Sequence, residues 1–419
     1  MKYYSLLFIC MVFAYSNSTQ AQKLQKIDQL LFQKKYPEAI QLLEQKTSKD
    51  SLQPRLFYRL GRAHQSLQQN RKAISAFQKA LELDSLYISN RLALGNCYFS
   101  SGMYPDAQTL LESTYQLDSS NASNNLLLAK VYTVQKEYKK AIHLYKGLIV
   151  KDSINPYYHK QYGILAEKLY QPQIAIDHLK TAYELNTRDL GTLVKLISTY
   201  YQYAVYQKAL LYCNKGLKDF PNNFILLKKK AQLLINLKWF ENAQVVLEKI
   251  RQLEKADDVT YKQLGLCYLN AKDYEKALEA LQSVGPKSVN DPMVNLYLGI
   301  TLQKLGRHKE SLEKFEDSET FSIPPYMASL KLYQARAYGF VKQFDKSVKA
   351  YIASWELDKD SPNILYDIAT TYEEFGNHKK EAINYYSQYL NLYQGKDEKR
   401  KEYARSRILH LKERIHFEK

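Results

Sequence analysis

The sequence predicts an all-α chain of about eleven two-helix units of equal length, closed by a final helix. Three observations predict it. Turn-formers are scarce, with 14 Gly and 11 Pro in 419 residues, against averages of ~7% and ~5%. A small residue recurs at a fixed step of 34, at Ala39, Ala73, Ala107, Ala141, Ala175, Ala209, Ala243, Ala277 and Ser311. The series resumes at Ser347 after a two-residue insertion and at Ala382 after one more. A second small position precedes it by twelve residues, as Gly61, Gly95, Ala129, Gly163, Gly265, Gly299 and Ala335, and by thirteen at Ala369. A tyrosine follows three residues later at Tyr98, Tyr132, Tyr200, Tyr268, Tyr338 and Tyr372. Residues at i and i+3 share a helical face, so each unit holds two amphipathic helices whose small residues permit close approach.

Along the chain, the first element is a targeting segment. Lys2 supplies a positive start and Leu6 to Ala14 is an unbroken apolar run. A polar stretch and Ala21 follow, so residues 1–21 read as a secretory signal peptide with Gln22 as the mature N-terminus. The alternative, a membrane anchor, needs ~20 apolar residues to span the bilayer. Cys10 follows Leu7-Phe8-Ile9, which lacks the small residues of a lipoprotein signal. Three cysteines remain beyond the cut, Cys97, Cys213 and Cys267. An odd number cannot pair fully within one chain, and no CxxC occurs, so they read as small buried hydrophobes.

Residues 22–396 carry the repeats. Breaks between units fall at Asp84-Ser85, Asp118-Ser119, Asp152-Ser153 and Pro221-Asn222-Asn223, residues that cap the next helix. Asp50-Ser51-Leu52, Asp84-Ser85-Leu86 and Asp152-Ser153-Ile154 also resemble a short O-glycosylation acceptor of bacterial envelope proteins, although capping alone accounts for them. Gly285-Pro286, Asp291-Pro292 and Ile323-Pro324-Pro325 are loop signals in the less regular last third. Residues 397–419 form a capping helix, with Ala404, Ile408, Leu411 and Ile415 at helical spacing and a mostly charged remainder.

The stretches LGRAHQSLQQNRKAISAFQKALELDS and LGLCYLNAKDYEKALEALQ resemble the tetratricopeptide repeat (TPR). Numbered by that family, units begin at 20, 54, 88, 122, 156, 190, 224, 258, 292, 328 and 362. The resemblance implies a right-handed α-solenoid, a superhelix whose first helices line a concave face. It places positions 2, 5, 9, 12 and 13 of each unit there. Among them stand Arg55, Tyr58, Arg62, Asn96, Phe99, Lys130, Tyr157, Lys160, Tyr201, Lys228, Gln232 and Lys262, together with Lys168, Lys304 and Arg336. Nine of these are basic and Glu167 is the one acid at those positions, an excess above the overall 60 Lys+Arg to 43 Asp+Glu. Arg with aromatics is typical of binding hot spots, and amides supply adaptable hydrogen bonds. The other reading is that these are solvated positions, with the tyrosines packing between units. The paired Lys/Asn carboxylate clamp of chaperone-binding members is not matched, because Leu92 and Leu127 stand where Lys and Asn belong.

Catalytic signals are lacking. Eight histidines are scattered, and no HExxH, GxSxG, GxGxxG or GxxxxGK occurs, so no cofactor, metal or enzymatic activity is expected. Hydrophobic residues at 45% exclude disorder as the main state. The net charge of +17 points to an acidic partner. The expected function is a non-catalytic scaffold in the periplasm or at the outer membrane of a Gram-negative bacterium. It would hold an acidic or extended protein segment in the basic face. The alternative ligand is an anionic envelope polymer such as surface glycan. Nucleic acid fits the charge but contradicts export.

Overall fold

The computed structural model describes residues 24–417 except 50, 289, 322–323, 376–377 and 396. The proposed signal peptide, Cys10 and the expected mature start at Gln22 lie outside the described residues. Among the described residues every regular element is helical and none is a strand. The chain divides between Val205 and Tyr206 into two bodies.

The N-terminal body holds α1 (24–32), α2 (Tyr36–Lys49), α3 (Pro54–Ser66), α4 (Asn70–Leu83), α5 (Ile88–Ser100), α6 (Tyr104–Leu117), α7 (Ala122–Val134), α8 (Tyr138–Lys151), α9 (Pro156–Lys168), α10 (Pro172–Leu185) and α11 (Leu190–Gln202). The C-terminal body holds α12 (Tyr206–Asp219), α13 (Phe224–Asn236), α14 (Phe240–Gln252), α15 (Asp258–Asn270), α16 (Tyr274–Gln282), α17 (Pro292–Lys304), α18 (His308–Phe321), α19 (Pro324–Phe340), α20 (Phe344–Leu357), α21 (Asn363–Phe375), α22 (Lys379–Leu392) and α23 (Glu398–Phe417). Odd-numbered helices from α3 to α17, and even-numbered ones from α2 to α18, begin at the constant step expected from the sequence. The next two even helices begin later than that step by two and by one, matching the two insertions.

The packing explains the two small positions. Ala39, Ala73, Ala107, Ala141, Ala175, Ala209, Ala243, Ala277, Ser311, Ser347 and Ala382 are all 0% exposed. The earlier small position faces a large side chain on the second helix of its own unit. A Cβ added at Gly61 would lie 2.5 Å from Phe77, and one at Gly265 would lie 2.4 Å from Leu281. Gly95 against Leu111, Gly163 against Leu179 and Gly299 against Phe315 repeat the arrangement. Large therefore meets small across these five helix pairs, which keeps the core there at crystal-like density.

Among the described residues, the turn inside each of the first ten pairs carries one left-handed residue: Lys34, Gln68, Gly102, Lys136, Tyr170, Ala204, Lys238, Lys272, Gly306 and Lys342. The next residue's N–H then reaches back into the last turn of the preceding helix, as in Glu137 N to Tyr132 O at 2.8 Å and Asp273 N to Tyr268 O at 3.0 Å. This closes the end of the odd helix and satisfies one of its open carbonyls.

Two proline signals turn out differently from their reading as loops. Pro292 occupies the first turn of α17, where Asp291 caps the helix by accepting from Met293 N and Val294 N. Pro324 begins α19, which runs 17 residues and starts four residues before the expected 328. A proline costs nothing in a first turn, where its missing N–H has no helical acceptor. Gly285-Pro286 does end a helix, since α16 has 9 residues and a short 3-10 turn, Pro286–Ser288, follows. In α23, Ala404 and Leu411 are buried with Ile364, Ile368, Tyr386 and Tyr389, while Ile408 packs at the edge.

Candidate functional site

On the odd-helix face of the N-terminal body, α5 and α7 enclose a cleft of about 250 Å³. Leu92, Asn96 and Phe99 line it from α5 at i, i+4 and i+7, and Ser123, Leu126, Leu127 and Lys130 line it from α7. Both helices bury the adjoining stripe, Ala93, Leu94, Cys97 and Tyr98 in one and Leu128, Ala129, Val131 and Tyr132 in the other, so these residues are left facing outward. Asn121 fixes the start of α7 by accepting from Asn124 N at 3.0 Å. The Lys130 ammonium lies 5.7 Å from the centre of the Tyr157 ring. Phe99 meets Tyr104 edge-on at 5.7 Å. Lys130 has no carboxylate partner among the described residues. Four of the sequence-selected residues, Asn96, Phe99, Lys130 and Tyr157, are thus brought together.

Others of this body stand apart from the cleft. Arg55 and Arg62 are exposed on α3, and Arg62 donates to Gln65 Oε1 at 3.2 Å. Tyr58 is half-buried, edge-on to Tyr87 at 5.1 Å. Tyr201 is an exposed residue near the end of α11. Glu167, the one acid on the selected positions, accepts from Lys195 at 2.7 Å and from Thr199 Oγ1 at 2.8 Å.

The lysines at the fifth position of a helix behave differently from Lys130. Lys160 pairs with Asp189 at 2.9 Å, Lys228 with Asp257 at 2.6 Å and Lys262 with Asp291 at 2.6 Å. Each aspartate also caps the next odd helix: Asp189 accepts from Thr192 N, Asp257 from Thr260 N, and Asp291 from Met293 N. Burial raises the Asp189 pKa, but the donors Thr192 and Lys160 outweigh it and hold the carboxyl at about 2. Asp257 and Asp291 are lowered by the same contest, with Lys228 and Lys262 as the opposing cations. These three lysines therefore clasp consecutive repeats rather than present open charge. A sequence signal for this existed. Each of the three lysines is followed at one constant spacing by its Asp. Leu92 and Leu126 are followed at that same spacing by Asn121 and Asn155. Counting charges on the helices alone passes over the acids at the caps.

In the C-terminal body the same face carries an amide chain. Gln263 donates to Gln232 Oε1 at 2.7 Å, and Gln232 donates to Asn236 Oδ1 at 2.8 Å. Arg336 lies 3.6 Å from Asp367.

The side chains richest in chemistry have structural partners. His159 donates from Nε2 to Ser153 O at 3.1 Å, which leaves its Nδ1 to accept from His178 Nδ1–H at 3.0 Å. Tyr162 stacks on His178 at 4.1 Å, and burial followed by the neighbouring His159 lowers the His178 pKa. Cys97, Cys213 and Cys267 are buried unpaired thiols, and burial pushes the latter two up to about 12. Among the described residues no three His, Cys, Asp or Glu side chains converge to hold a metal ion, and no helix is long and apolar enough to cross a membrane.

Comparison with known proteins bears on the repeat. Residues 66–148 match the model "Anaphase-promoting complex, cyclosome, subunit 3", and residues 263–285 match a tetratricopeptide-repeat model. A curated relative, the TPR repeat-containing protein YpiA of Bacillus subtilis, is 24% identical over 226 residues, which is 54% of this chain. The chain spans about half the length of this relative, 53%. Solved structures with similar helix arrays include a tetratricopeptide repeat protein from Parabacteroides merdae, at 16% identity and TM-score 0.42, covering 59% of this chain and 98% of that one. The Cut9–Hcn1 hetero-tetramer of the APC/C matches at 14% identity and TM-score 0.44, covering 92% of this chain and 95% of that one.

Proposed function

Starting from its being a tetratricopeptide-repeat protein, a fold of the protein-interaction class, we propose that the chain is a non-catalytic adaptor of the cell envelope. Its ligand is an extended acidic segment of a protein partner, held on the odd-helix face of the N-terminal body. The observation that carries this reading is the α5–α7 cleft, where a lysine without a carboxylate partner and an amide flank four apolar side chains. A carboxylate reaching Lys130 gains a charge-assisted bond, and Asn96 suits a peptide backbone in either polarity. Arg55 and Arg62 extend the positive surface on α3 and accelerate encounter. The paired lysines at 160, 228 and 262 are assigned to holding repeats together instead. Lys2 and the apolar run up to Ala14 support export.

A photo-crosslinker placed at Asn96, in envelope-resident protein, tests the assignment. The expected result is an adduct with one protein, lost when Arg62 and Lys130 are both reversed to Glu while the melting temperature holds. An adduct that survives prior protease treatment of the envelope would replace the protein segment by an anionic polymer. An adduct unaffected by the reversal would remove the cleft from consideration.

A further inference from the structure

The even-helix face of the N-terminal body carries a second charged surface. α8 has lysines at 139, 140, 146 and 151, a histidine at 143, and no Asp or Glu. Ala141, Leu144, Tyr145 and Leu148 take its buried side, so the basic residues fall on the exposed one. Two of the lysines are engaged. Lys140 pairs with Glu137 at 2.5 Å and lies over the Tyr132 ring, and Lys151 donates to the Ser120 carbonyl. Lys139 and Lys146 have no carboxylate partner among the described residues.

Beside this helix runs an open groove of about 540 Å³ between α6 and α8, within the ~300–1,000 Å³ of ligand clefts. Lys139 and His143 stand on one wall, Tyr115 on the other, and Leu128 and Leu144 at the floor. The carboxylate in the groove, Glu112, is already supplied with donors, Tyr132 OH at 2.7 Å and Gln108 Nε2 at 2.8 Å.

We propose that this groove binds a short acidic–aliphatic peptide segment of a protein partner. Its carboxylate sits at the Lys139–His143 wall, with Lys146 exposed three residues further along α8, and its neighbouring aliphatic side chain packs on the half-buried Tyr115 ring of the opposite wall. Charge complementarity and the half-buried Tyr115 ring select this class together. A phosphate or uronate polymer answers the lysines but leaves the half-buried Tyr115 ring wet, forgoing the gain from burying apolar surface. A purely apolar helix covers Tyr115 but desolvates the ammonium groups without compensation. The repeats would then be two-faced, with the odd helices and the even helices each holding a segment.

The probe is an acetylated, amidated hexapeptide of alternating Glu and Leu, with its Gln–Leu analogue and inorganic polyphosphate as comparisons. Lysine acetylation of the full chain, mapped by mass spectrometry, reads the site. The Glu–Leu peptide should slow modification of Lys139 and Lys146 at least about tenfold and leave Lys208 and Lys218 on α12 unchanged. The Gln–Leu peptide should protect neither. Lys139→Glu with Lys146→Glu should weaken binding of the labelled peptide about tenfold, equivalent to ~1.4 kcal/mol, at an unchanged melting temperature. Three results overturn the proposal: no protection up to about 1 mM peptide, protection at Lys130 alone, or protection by polyphosphate where the Glu–Leu peptide gives none.

Discussion

The odd-helix faces of the two bodies place different residues at one repeat position. In the N-terminal body the fifth residue of α5 and of α7 is leucine, and the next odd helix after each is capped by asparagine, Asn121 and Asn155. In the C-terminal body the fifth residue of α13 and of α15 is lysine, and the next odd helix after each is capped by the aspartate that pairs with that lysine. The leucines pack at the edge of the core and leave the nearby Lys130 to the aromatic ring of Tyr157. The lysines spend their charge on the next repeat. A similar excess of basic residues thus yields open charge in one body and repeat-to-repeat clasps in the other. Within the N-terminal body, the Lys160–Asp189 pair marks where the second pattern begins.

The largest expected effect tests what the bodies share. Ala141 and Ala277 occupy the same position, both fully buried. Leucine at either overpacks the helix pair and should cost ~1–3 kcal/mol. Hydrogen exchange should report the loss in α7–α8 for Ala141→Leu and in α15–α16 for Ala277→Leu. Lys139→Leu, on the exposed side of α8, is the matched control; Lys140 is unsuitable because it pairs with Glu137. If Lys139→Leu destabilised as much as Ala141→Leu, the close-packed position would be misassigned.

The next effect separates the bodies. Asp257→Ala removes a cap and a clasp, and loss of a cap alone costs ~0.5–2 kcal/mol. Asp257→Asn keeps a capping oxygen and removes only the pair, so it should cost ~0.2–1 kcal/mol, as half-exposed ion pairs do. Asn121→Ala in the N-terminal body removes a cap without a clasp. The pH dependence follows from the sign of the shift. Asp189 in the folded chain titrates at about 2, below the ~3.9 of an unfolded aspartate. Its contribution is present above the unfolded value and is lost as pH falls from about 4 through the folded value. Urea unfolding between these limits should be less pH-dependent in Asp189→Asn. A slope unchanged by that substitution would show that the clasp carries no stability.

The helix pairs and their phase were legible because packing repeats strictly. A glycine facing Phe77 or Leu281 must stay small, and that constraint writes itself into the sequence once per repeat. The cleft residues Asn96, Phe99, Lys130 and Tyr157 were reached through the family's numbering of helix faces. What escaped was each charge's partner. Lys228 and Asp257 lie at opposite ends of one repeat, and the aspartate reads on its own as a cap of the helix that follows. The extra turn of α19 escaped because prolines signal breaks equally before and after a helix start. The groove beside α8 escaped because its lining comes from three helices and only α8 places basic residues in it.

The smallest expected effect concerns the turns, where both bodies use the same backbone with different residues. Gly102 has φ 75° and Gly306 has φ 78°, and a Cβ at either would meet nothing within 4 Å. Any cost of Gly102→Ala or Gly306→Ala therefore comes from backbone conformation alone, about 1 kcal/mol. Lys136, with φ 64°, and Lys272, with φ 62°, already bear that cost in the same turn of their own repeats. Glycine there relieves the left-handed strain of ~1–2 kcal/mol but adds unfolded-chain entropy worth ~0.5–1 kcal/mol. The net gain for Lys136→Gly and for Lys272→Gly should be about 0.5 kcal/mol each. Chemical denaturation of the four single variants measures it. The two alanine variants should lose stability by similar amounts and the two glycine variants should gain by similar amounts, because the return bond that closes the turn is the same in both bodies. A gain at Lys136 with a loss at Lys272 would mean that the Lys272 side chain holds a contact its backbone does not explain, and the equivalence of the turns would fail.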